Sequence, residues 1–312
     1  MDSGSAAQRY QSENQILLSD SPSPPIPFPP PAMSSELITS RANPLVKELR
    51  ALSQKKIRAQ RAEFLIQGIQ LVLQAISSRA EIKLLVVASE MLTSELAREM
   101  VEQQARTGTR VIHVSREVFE SFAEREHPTG IAAVIRIAAR TLDELRVDSD
   151  AIFVALDQVS NPGNLGTILR TADAVNASGV ILIGNATDPY APTALNASRG
   201  AIFSVPVVQL DHAQMLLDWA RSQNIRIVTT SDHAAKTLWN VDLRAPILFC
   251  LGNEGEGLPS ELLVQGEAVK IPMYGAVDSL NLAVAASVLL YECVRRKTAH
   301  VTQNPTYGTN DD

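Results

Sequence analysis

The sequence is poor in the residues that mark several common classes of protein. Its 312 residues include only two cysteines, Cys250 and Cys293, and they do not form a pair at metal-ligand spacing. We therefore expect buried thiols in a reducing compartment, no metal site and a cytoplasmic location. No apolar run approaches the length of a membrane span, and the N-terminus lacks the basic-then-apolar order of a signal peptide. No membrane association is expected.

Positive charge and histidine are also scarce. The formal net charge is −6, so any surface for nucleic acid has to be local. The five histidines are scattered, and neither G-x-S-x-G nor H-E-x-x-H occurs, which argues against hydrolase chemistry. No G-x-G-x-x-G opens a helix, which argues against a dinucleotide-dependent oxidoreductase.

Proline is concentrated near the N-terminus. The run SPSPPIPFPPP contains seven prolines in eleven residues, which excludes a helix or a sheet ladder. Residues 1–35 are therefore predicted to be a disordered or polyproline tail. Residues 299–312 are predicted to be a second, polar tail.

Positive charge is concentrated over residues 41–61, where seven basic residues stand against Glu48 alone. Leucines at helical spacing give this stretch one apolar stripe, which predicts an amphipathic basic helix. In an acidic protein such a helix is a candidate surface for RNA phosphates. A solvated helix face is the alternative. The candidate RNA-binding residues are Arg41, Lys47, Arg50, Lys55, Lys56 and Arg58.

Short strand-like and helix-like runs alternate along the rest of the chain, which predicts an α/β fold. Residues 36–137 form a compact first module without catalytic spacing, and residues 138–150 form a polar linker. Residues 151–298 form a second α/β domain. Its final helix, over 280–296, is apolar nearly all round, so a subunit partner is expected to cover the side that the domain leaves open.

The second domain opens with its most unusual stretch. An apolar run over 151–156 predicts a buried strand, Asn161-Pro162-Gly163 breaks it, and a helix is predicted from Asn164, which is expected to cap it. Arg170 lies well inside that helix. Loops 157–170, 252–258 and 271–281 each follow or adjoin an apolar strand, so a parallel sheet would gather them at one edge, where ligands bind.

The loop Gly252-Asn253-Glu254-Gly255-Glu256-Gly257 resembles a phosphate-binding loop only superficially. Phosphate needs positive potential, and Glu254 and Glu256 would repel it. Glycines beside carboxylates instead favour a neutral or cationic ligand, such as an adenosine or a sulfonium, that backbone approaches closely. The alternative is a glycine turn with solvated acids.

Three segments together resemble the SpoU (TrmH-type) RNA 2′-O-ribose methyltransferases of the SPOUT superfamily. Asn164–Ala172 is similar to the first family motif, Leu251–Leu258 to the second, and Ile271–Met273 with Ser279–Ala285 to the third. Ser198-Arg199-Gly200-Ala201 also fits the family's middle section. The N-terminal module resembles, more weakly, the substrate-binding domain that many rRNA-modifying members carry.

The resemblance implies a SPOUT-type knotted (trefoil) methyltransferase domain behind a smaller N-terminal α/β substrate-binding domain, a homodimer and S-adenosyl-L-methionine as cofactor. It implies ribose methylation of RNA, most of all 23S rRNA; methylation of tRNA and non-catalytic RNA binding are the alternatives. Arg170 would lie at the reacting hydroxyl, as a base or as an electrostatic stabiliser. Asn164, Glu254, Ser279 and Asn281 would order the catalytic site. The implied cofactor-binding residues are Leu251, Gly252, Asn253, Gly255, Gly257, Ile271, Pro272, Met273 and Leu280.

Overall fold

The computed structural model of the chain describes residues 37–124 and 126–303. The predicted N-terminal tail, over 1–35, lies outside the described residues. Of the predicted C-terminal tail, residues 304–312 also lie outside them, whereas 299–303 continue the final helix. Within the described part, no helix combines the length and the apolar character needed to cross a membrane.

The N-terminal module is an α/β unit, as predicted. Its elements are α1 (Pro44–Ala51), α2 (Lys55–Arg61), β1 (Glu63–Gln67), α3 (Ile69–Ser77), β2 (Ile82–Val87), α4 (Glu95–Arg106), β3 (Val111–His113), α5 (Arg116–Glu120) and β4 (Ile131–Arg136). The strands form one sheet in the order β1-β4-β2-β3, in which β4 is antiparallel to both neighbours and β2 is parallel to β3. Helices α3 and α4 cover one face, and α1 and α5 the other.

The basic stretch forms two short helices, so the prediction of one continuous helix over 41–61 is wrong. Helix α1 ends at Ala51, and α2 begins only at Lys55. The Arg58 side chain reaches back to the break, where its Nη1 donates to the carbonyl oxygens of Leu52 (2.8 Å) and Ser53 (2.7 Å). The break is therefore stabilised by a side chain that the amphipathic pattern had placed on the surface.

The C-terminal domain is built on a parallel sheet. Its elements are β5 (Ile152–Asp157), α6 (Pro162–Ala174), β6 (Gly179–Ile183), α7 (Pro192–Ser198), β7 (Val207–Leu210), α8 (Ala213–Ser222), β8 (Arg226–Thr230), β9 (Lys236–Thr237), β10 (Ile247–Leu251), α9 (Ser260–Leu263), β11 (Glu267–Lys270) and α10 (Leu282–Gln303). Among the described residues the strands run in the order β7-β6-β5-β10-β8-β11-β9, and every neighbouring pair is parallel.

Both faces of this sheet are covered, which explains why β5 reads as a continuous apolar run. Helices α6 and α10 pack on one face, and α8 packs on the other. The predicted polar linker also contributes to the second face: Leu142 and Leu145, in and after a 3-10 turn, are buried against it. Most of residues 138–150 are exposed, and the two buried leucines anchor this connection to the domain.

The final helix is covered on one side only. Leu282, Ala286 and Leu289 are buried, while Val284 and Tyr291 are 48% and 54% exposed. The open side that the apolar pattern predicted is therefore present in the single chain.

The two modules share an apolar contact. Phe64 of β1 packs against Tyr190, with ring centroids 4.7 Å apart, and against Phe203 at 6.2 Å. Leu195 of α7 is buried within the core of the N-terminal module. A buried ion pair, Arg58 to Asp188 at 2.6 Å, closes the same junction.

Loss of this ion pair is expected to be costly. Asp188→Ala would leave the guanidinium of Arg58 buried without its partner, since the Arg58 and Asp188 side chains are only 4% and 11% exposed. We expect the free energy of unfolding to fall by about 3 kcal/mol, measured by urea denaturation. The control is Glu48→Ala, which removes the exposed partner of Arg61 and should cost less than about 1 kcal/mol. Equal losses in the two variants would contradict the prediction.

Candidate active site

Asn164 joins the three loops that the sequence singles out. Its Nδ2 donates to Oε1 of Glu254 at 2.6 Å, and its Oδ1 accepts from Nδ2 of Asn281 at 3.0 Å. Asn281 Oδ1 in turn accepts from the backbone N–H of Ala283 at 2.9 Å, at the start of α10. The first, second and third motifs therefore meet at one amide, at the carboxyl edge of the parallel sheet.

Helix α6 begins earlier than predicted, and Asn164 is not its cap. Asn161 caps it: its Oδ1 accepts from the backbone N–H groups of Gly163 (2.8 Å) and Asn164 (3.3 Å), and Pro162 occupies the first helical position. Because Asn161 satisfies the first turn, the Asn164 side chain is available to bind the other two loops.

The glycine loop after β10 folds back on itself. Asn253 Oδ1 accepts from the backbone N–H groups of Gly255 (2.9 Å) and Glu256 (2.7 Å), and Asn253 and Gly257 form a short antiparallel bridge. A Cβ on Gly252 would lie 1.9 Å from the carbonyl carbon of Gly257, so only glycine fits there. Gly257 itself has φ +71°, in the left-handed region.

Arg170 lies on α6, six residues beyond Asn164, and its side chain is exposed. The Arg170 side chain makes no hydrogen bond or ion pair with any other residue that the structure describes. Ser279 is exposed as well, just before Asn281. Thus Asn164, Glu254 and Asn281 are connected by hydrogen bonds, and Arg170 and Ser279 are not part of that chain. An unpaired guanidinium can contact an anion from outside the protein.

Most of the residues implied for the cofactor lie at or just beyond the ends of two parallel strands. Leu251 and Gly252 are buried at the end of β10, while Ile271, Pro272 and Met273 are half-buried beyond the last paired residue of β11. Leu280 is half-buried, and Asn253, Gly255 and Gly257 continue the glycine loop. Backbone groups beside the exposed Glu254 carboxylate fit a neutral adenosine and a cationic sulfonium better than a phosphate. Over residues 37–124 and 126–303, no cluster of metal-ligating side chains is present.

The predicted RNA-binding residues separate into three kinds. Lys47 and Lys56 are exposed, as is Arg41, and Lys55 is exposed while donating to the carbonyl of Ala186 at 3.3 Å. Arg50 is half-buried, and its guanidinium donates to Oγ of Ser121 at 2.6 Å. Arg58 is 3% exposed and paired with Asp188, so the prediction that it contacts RNA is corrected: it ties the two modules together.

Gly166 is a site residue that sequence reasoning missed. A Cβ there would lie 2.4 Å from the carbonyl oxygen of Ala194 and 2.6 Å from Cβ of Ala197. The glycine therefore lets α7 pack directly on α6, between Asn164 and Arg170. A glycine inside an apolar helical run was the available signal.

Asp157 is a second missed residue, at the carboxyl end of β5. It is 5% exposed, and its Oδ2 has no hydrogen-bond partner among the described residues. Burial raises the pKa of this carboxyl, and a hydrogen bond with Gln158 partly offsets the rise. Burial, together with the nearby Asp157 charge, raises the pKa of the Cys250 thiol to about 12. Cys250 and Cys293 are both buried and unpaired, as predicted.

The raised pKa of Asp157 predicts a pH-dependent cost. Ionisation is less favourable in the folded chain than in the unfolded one, so the cost is absent below the unfolded pKa and grows as pH rises through the folded pKa. The stability of Asp157→Asn relative to the parent should therefore increase between pH 4 and pH 8, measured by urea denaturation at each pH. The exposed Asp143→Asn is the control. A difference for Asp157→Asn that stays constant over this range would refute the prediction.

Together the parallel α/β domain, the added N-terminal module and the three-loop edge define a two-module enzyme of the SPOUT methyltransferase class. Residues 151–291 match the SpoU rRNA Methylase family, and residues 43–133 match the MRM3-like substrate binding domain. The chain belongs to the SpoU rRNA methylase family. The resemblance inferred from the three motifs is thereby confirmed.

The chain aligns with almost the whole length of several related proteins. The chain is 31% identical over 267 residues to the 23S rRNA (uridine(2479)-2′-O)-methyltransferase of Streptomyces viridochromogenes, which covers 83% of this chain and 92% of that protein. It is 30% identical to the 23S rRNA (guanosine(2553)-2′-O)-methyltransferase RlmP of Bacillus subtilis, over 81% and 97% of the two chains. The crystal structure of an AdoMet-bound rRNA methyltransferase from Sinorhizobium meliloti superposes with a TM-score of 0.76, 33% identity and coverage of 84% and 98%.

Proposed function

We propose that the protein is an S-adenosylmethionine-dependent methyltransferase that acts on a ribose 2′-hydroxyl of 23S rRNA. The observation that carries this proposal is the meeting of the three motifs at Asn164, with Arg170 unpaired on the same helix. Two relatives named as 23S rRNA 2′-O-methyltransferases over most of their length support the substrate class. The family likeness also supports a trefoil knot around the loops after β10 and β11.

The residues of the site would act mainly by positioning. The second and third motifs would hold S-adenosylmethionine, which would supply an electrophilic methyl group for the ribose 2′-oxygen, and the hydroxyl proton would leave to water. Arg170 orients an RNA phosphate beside that hydroxyl and stabilises the developing negative charge, since a guanidinium hardly ever gives up its proton. Asn164 fixes Glu254 and Asn281, and Ser279 lies beside Asn281 toward the RNA side.

The backbone around the second and third motifs would hold the cofactor. Leu251–Asn253, Ile271–Met273 and Leu280 present main-chain groups beyond the strand ends, which suits the adenosine and methionine portions. Asn253 sets the turn that presents Gly255 and Gly257. The Glu254 carboxylate would also favour a nearby positive charge.

We also propose a cytoplasmic homodimer. The exposed Val284 and Tyr291, with the half-buried Val288 between them, form an apolar stripe along α10 at helical spacing. A second copy of this helix would cover that stripe beside α6. Sedimentation of the purified chain as a monomer at micromolar concentration would refute the dimer.

Methyl transfer from labelled S-adenosylmethionine to separate, unmodified pools of 23S rRNA, 16S rRNA and tRNA tests the function. Label in 23S rRNA, at one ribose that resists alkaline cleavage, is the expected result. Label in tRNA alone would favour the tRNA alternative. A chain that binds the cofactor and labels no pool would favour the non-catalytic RNA-binding alternative, and absence of cofactor binding would overturn the proposal.

A further inference from the structure

A cleft of about 210 Å³ lies at the junction of the two modules, apart from the three-loop site. One wall is the segment Gln67–Leu71, which ends β1 and begins α3; Thr129 adjoins it. The opposite wall is Asn196 and Arg199, at the C-terminal end of α7. None of the lining residues is acidic, and amide, hydroxyl and guanidinium groups predominate among the polar ones.

The walls of the cleft are held in fixed positions. Phe64 packs against Tyr190 and Phe203 across the junction, and the Arg58–Asp188 ion pair closes it on one side. A Cβ on Gly200, next to Arg199, would lie 2.7 Å from Cγ of Gln74 in α3, so this turn lies directly against that helix. The cleft is therefore a feature of the joined modules and does not exist in either one alone.

Two groups of the cleft can attract an anion, although the exposed Glu124 lines the adjoining pocket that shares Gln67, Leu71 and Asn196 with it. Gly68 is the N-cap of α3, which has no side-chain cap and no acidic residue in its first turn, so its first backbone N–H groups lack a side-chain partner at the positive end of the helix dipole. Arg199 is exposed, has φ +55°, and makes no ion pair with the residues that the structure describes. An unpaired guanidinium and open N–H groups on facing walls are the recognition elements of a phosphate.

The cleft is also connected to the catalytic edge. Helix α7, which carries Asn196 and is capped by Arg199, packs on α6 through the contact at Gly166. Helix α6 carries Asn164 and Arg170. A group held in the cleft is thus fixed relative to the reacting ribose by two directly packed helices.

We propose that this cleft binds a backbone phosphate of the rRNA substrate, away from the nucleotide that is methylated, and that Arg199 is the residue that pairs with it. The proposal rests on the proposed rRNA substrate. It makes the junction, and not only the exposed basic helices, part of the surface that selects the RNA. Arg199 is a positioning and binding residue, since it lies outside the three-loop site.

Arg199→Ala tests this assignment, with Arg79→Ala as the matched control. Arg79 is also exposed, also has φ +55°, and follows the other end of α3, outside the cleft. The probe is an unmodified 23S rRNA transcript, and its affinity is measured between 50 and 300 mM salt. For Arg199→Ala we expect a roughly five- to tenfold loss at low salt, with the slope of log K against log salt reduced by about 0.7–0.9, as for one lost phosphate contact.

Arg79→Ala should change neither the affinity nor the slope. S-Adenosylmethionine binding should be the same in both variants and in the parent, and Arg199→Lys should recover part of the affinity because it keeps the charge. Equal RNA binding by Arg199→Ala and Arg79→Ala would overturn the proposal, as would a loss of cofactor binding in Arg199→Ala.

Gln70→Glu separates RNA binding from folding. Gln70 is exposed at the second position of α3, where the helix dipole stabilises a carboxylate. The melting temperature of Gln70→Glu should therefore equal or exceed that of the parent. The same carboxylate would repel a phosphate in the cleft, so the affinity for the transcript should fall about tenfold at low salt. Unchanged affinity would overturn the proposal. These experiments measure binding constants and not methyl transfer. A parent protein that binds the transcript without methylating it would therefore contradict the proposed function, while the proposal that the cleft binds a phosphate would still be supported.

Discussion

Arg170→Ala is expected to reduce the rate of methyl transfer by about two to three orders of magnitude while S-adenosylmethionine binding stays the same. The guanidinium is exposed and unpaired on α6, so its removal leaves no buried charge behind and should not unfold the helix. The substitution would therefore lower the rate of the chemical step. The expected size is the one typical of removing a single hydrogen-bond donor from a developing oxyanion. Single-turnover transfer of a labelled methyl group to 23S rRNA measures it.

Two further variants make the Arg170 result interpretable. Arg170→Lys keeps a positive charge but loses the bidentate geometry, and we expect intermediate activity. Thr167 lies one turn earlier on the same exposed side of α6, and its hydroxyl donates a hydrogen bond to the carbonyl of Gly163 in the same helix. Thr167→Ala should therefore leave turnover close to that of the parent. Near-normal turnover of Arg170→Ala would exclude both the base role and the electrostatic role.

Gly252→Ala is expected to abolish cofactor binding. The added Cβ would lie 1.9 Å from the carbonyl carbon of Gly257 and 2.2 Å from the backbone nitrogen of Leu258. Neither atom can move as a flexible side chain does, and Leu258 is buried in the core. The loop must therefore open, which would displace Asn253 and Glu254 together. Calorimetric titration with S-adenosylmethionine should show an affinity loss of at least about 100-fold, or no binding, with a lower melting temperature.

Gly255→Ala is the control for this effect, because it lies in the same loop. A Cβ on Gly255 would meet only Oδ1 of Asn253, at an ordinary contact distance of 3.6 Å, and its φ is outside the left-handed region. Stability should change little. If Gly252→Ala bound the cofactor as tightly as Gly255→Ala does, the loop would not be as tightly closed as the geometry requires.

The parallel sheet and its site could be predicted from the sequence because local signals agreed. Continuous apolar runs marked the buried strands, and the three polar loops each followed one of them. Since parallel strands present their carboxyl ends at one edge, the meeting of the first and second motifs was expected, and the Asn164–Glu254 contact confirms it. The identity of the cofactor could not be predicted from hydrophobic periodicity or loop composition; it came from the family resemblance.

The features that could not be predicted depend on distant partners. Arg58 is buried because it pairs with Asp188, 130 residues away, and no helical period contains that information. The cap of α6 was placed at Asn164 although Pro162 at the first helical position pointed to Asn161. The two-residue strand Lys236–Thr237 at the sheet edge is too short to leave a pattern.

The hydrogen bonds of Asn164 also determine when the site can exist during synthesis. Its two partners lie 90 and 117 residues further along the chain. Closing loops of that length is slow compared with forming helices, and domains fold only once their distant segments are present. A nascent chain can therefore form the sheet of its N-terminal module, and even the early strands of the second domain, while the three-motif site is still unformed. Only after residue 281 has left the ribosome can this enzyme act on ribosomal RNA.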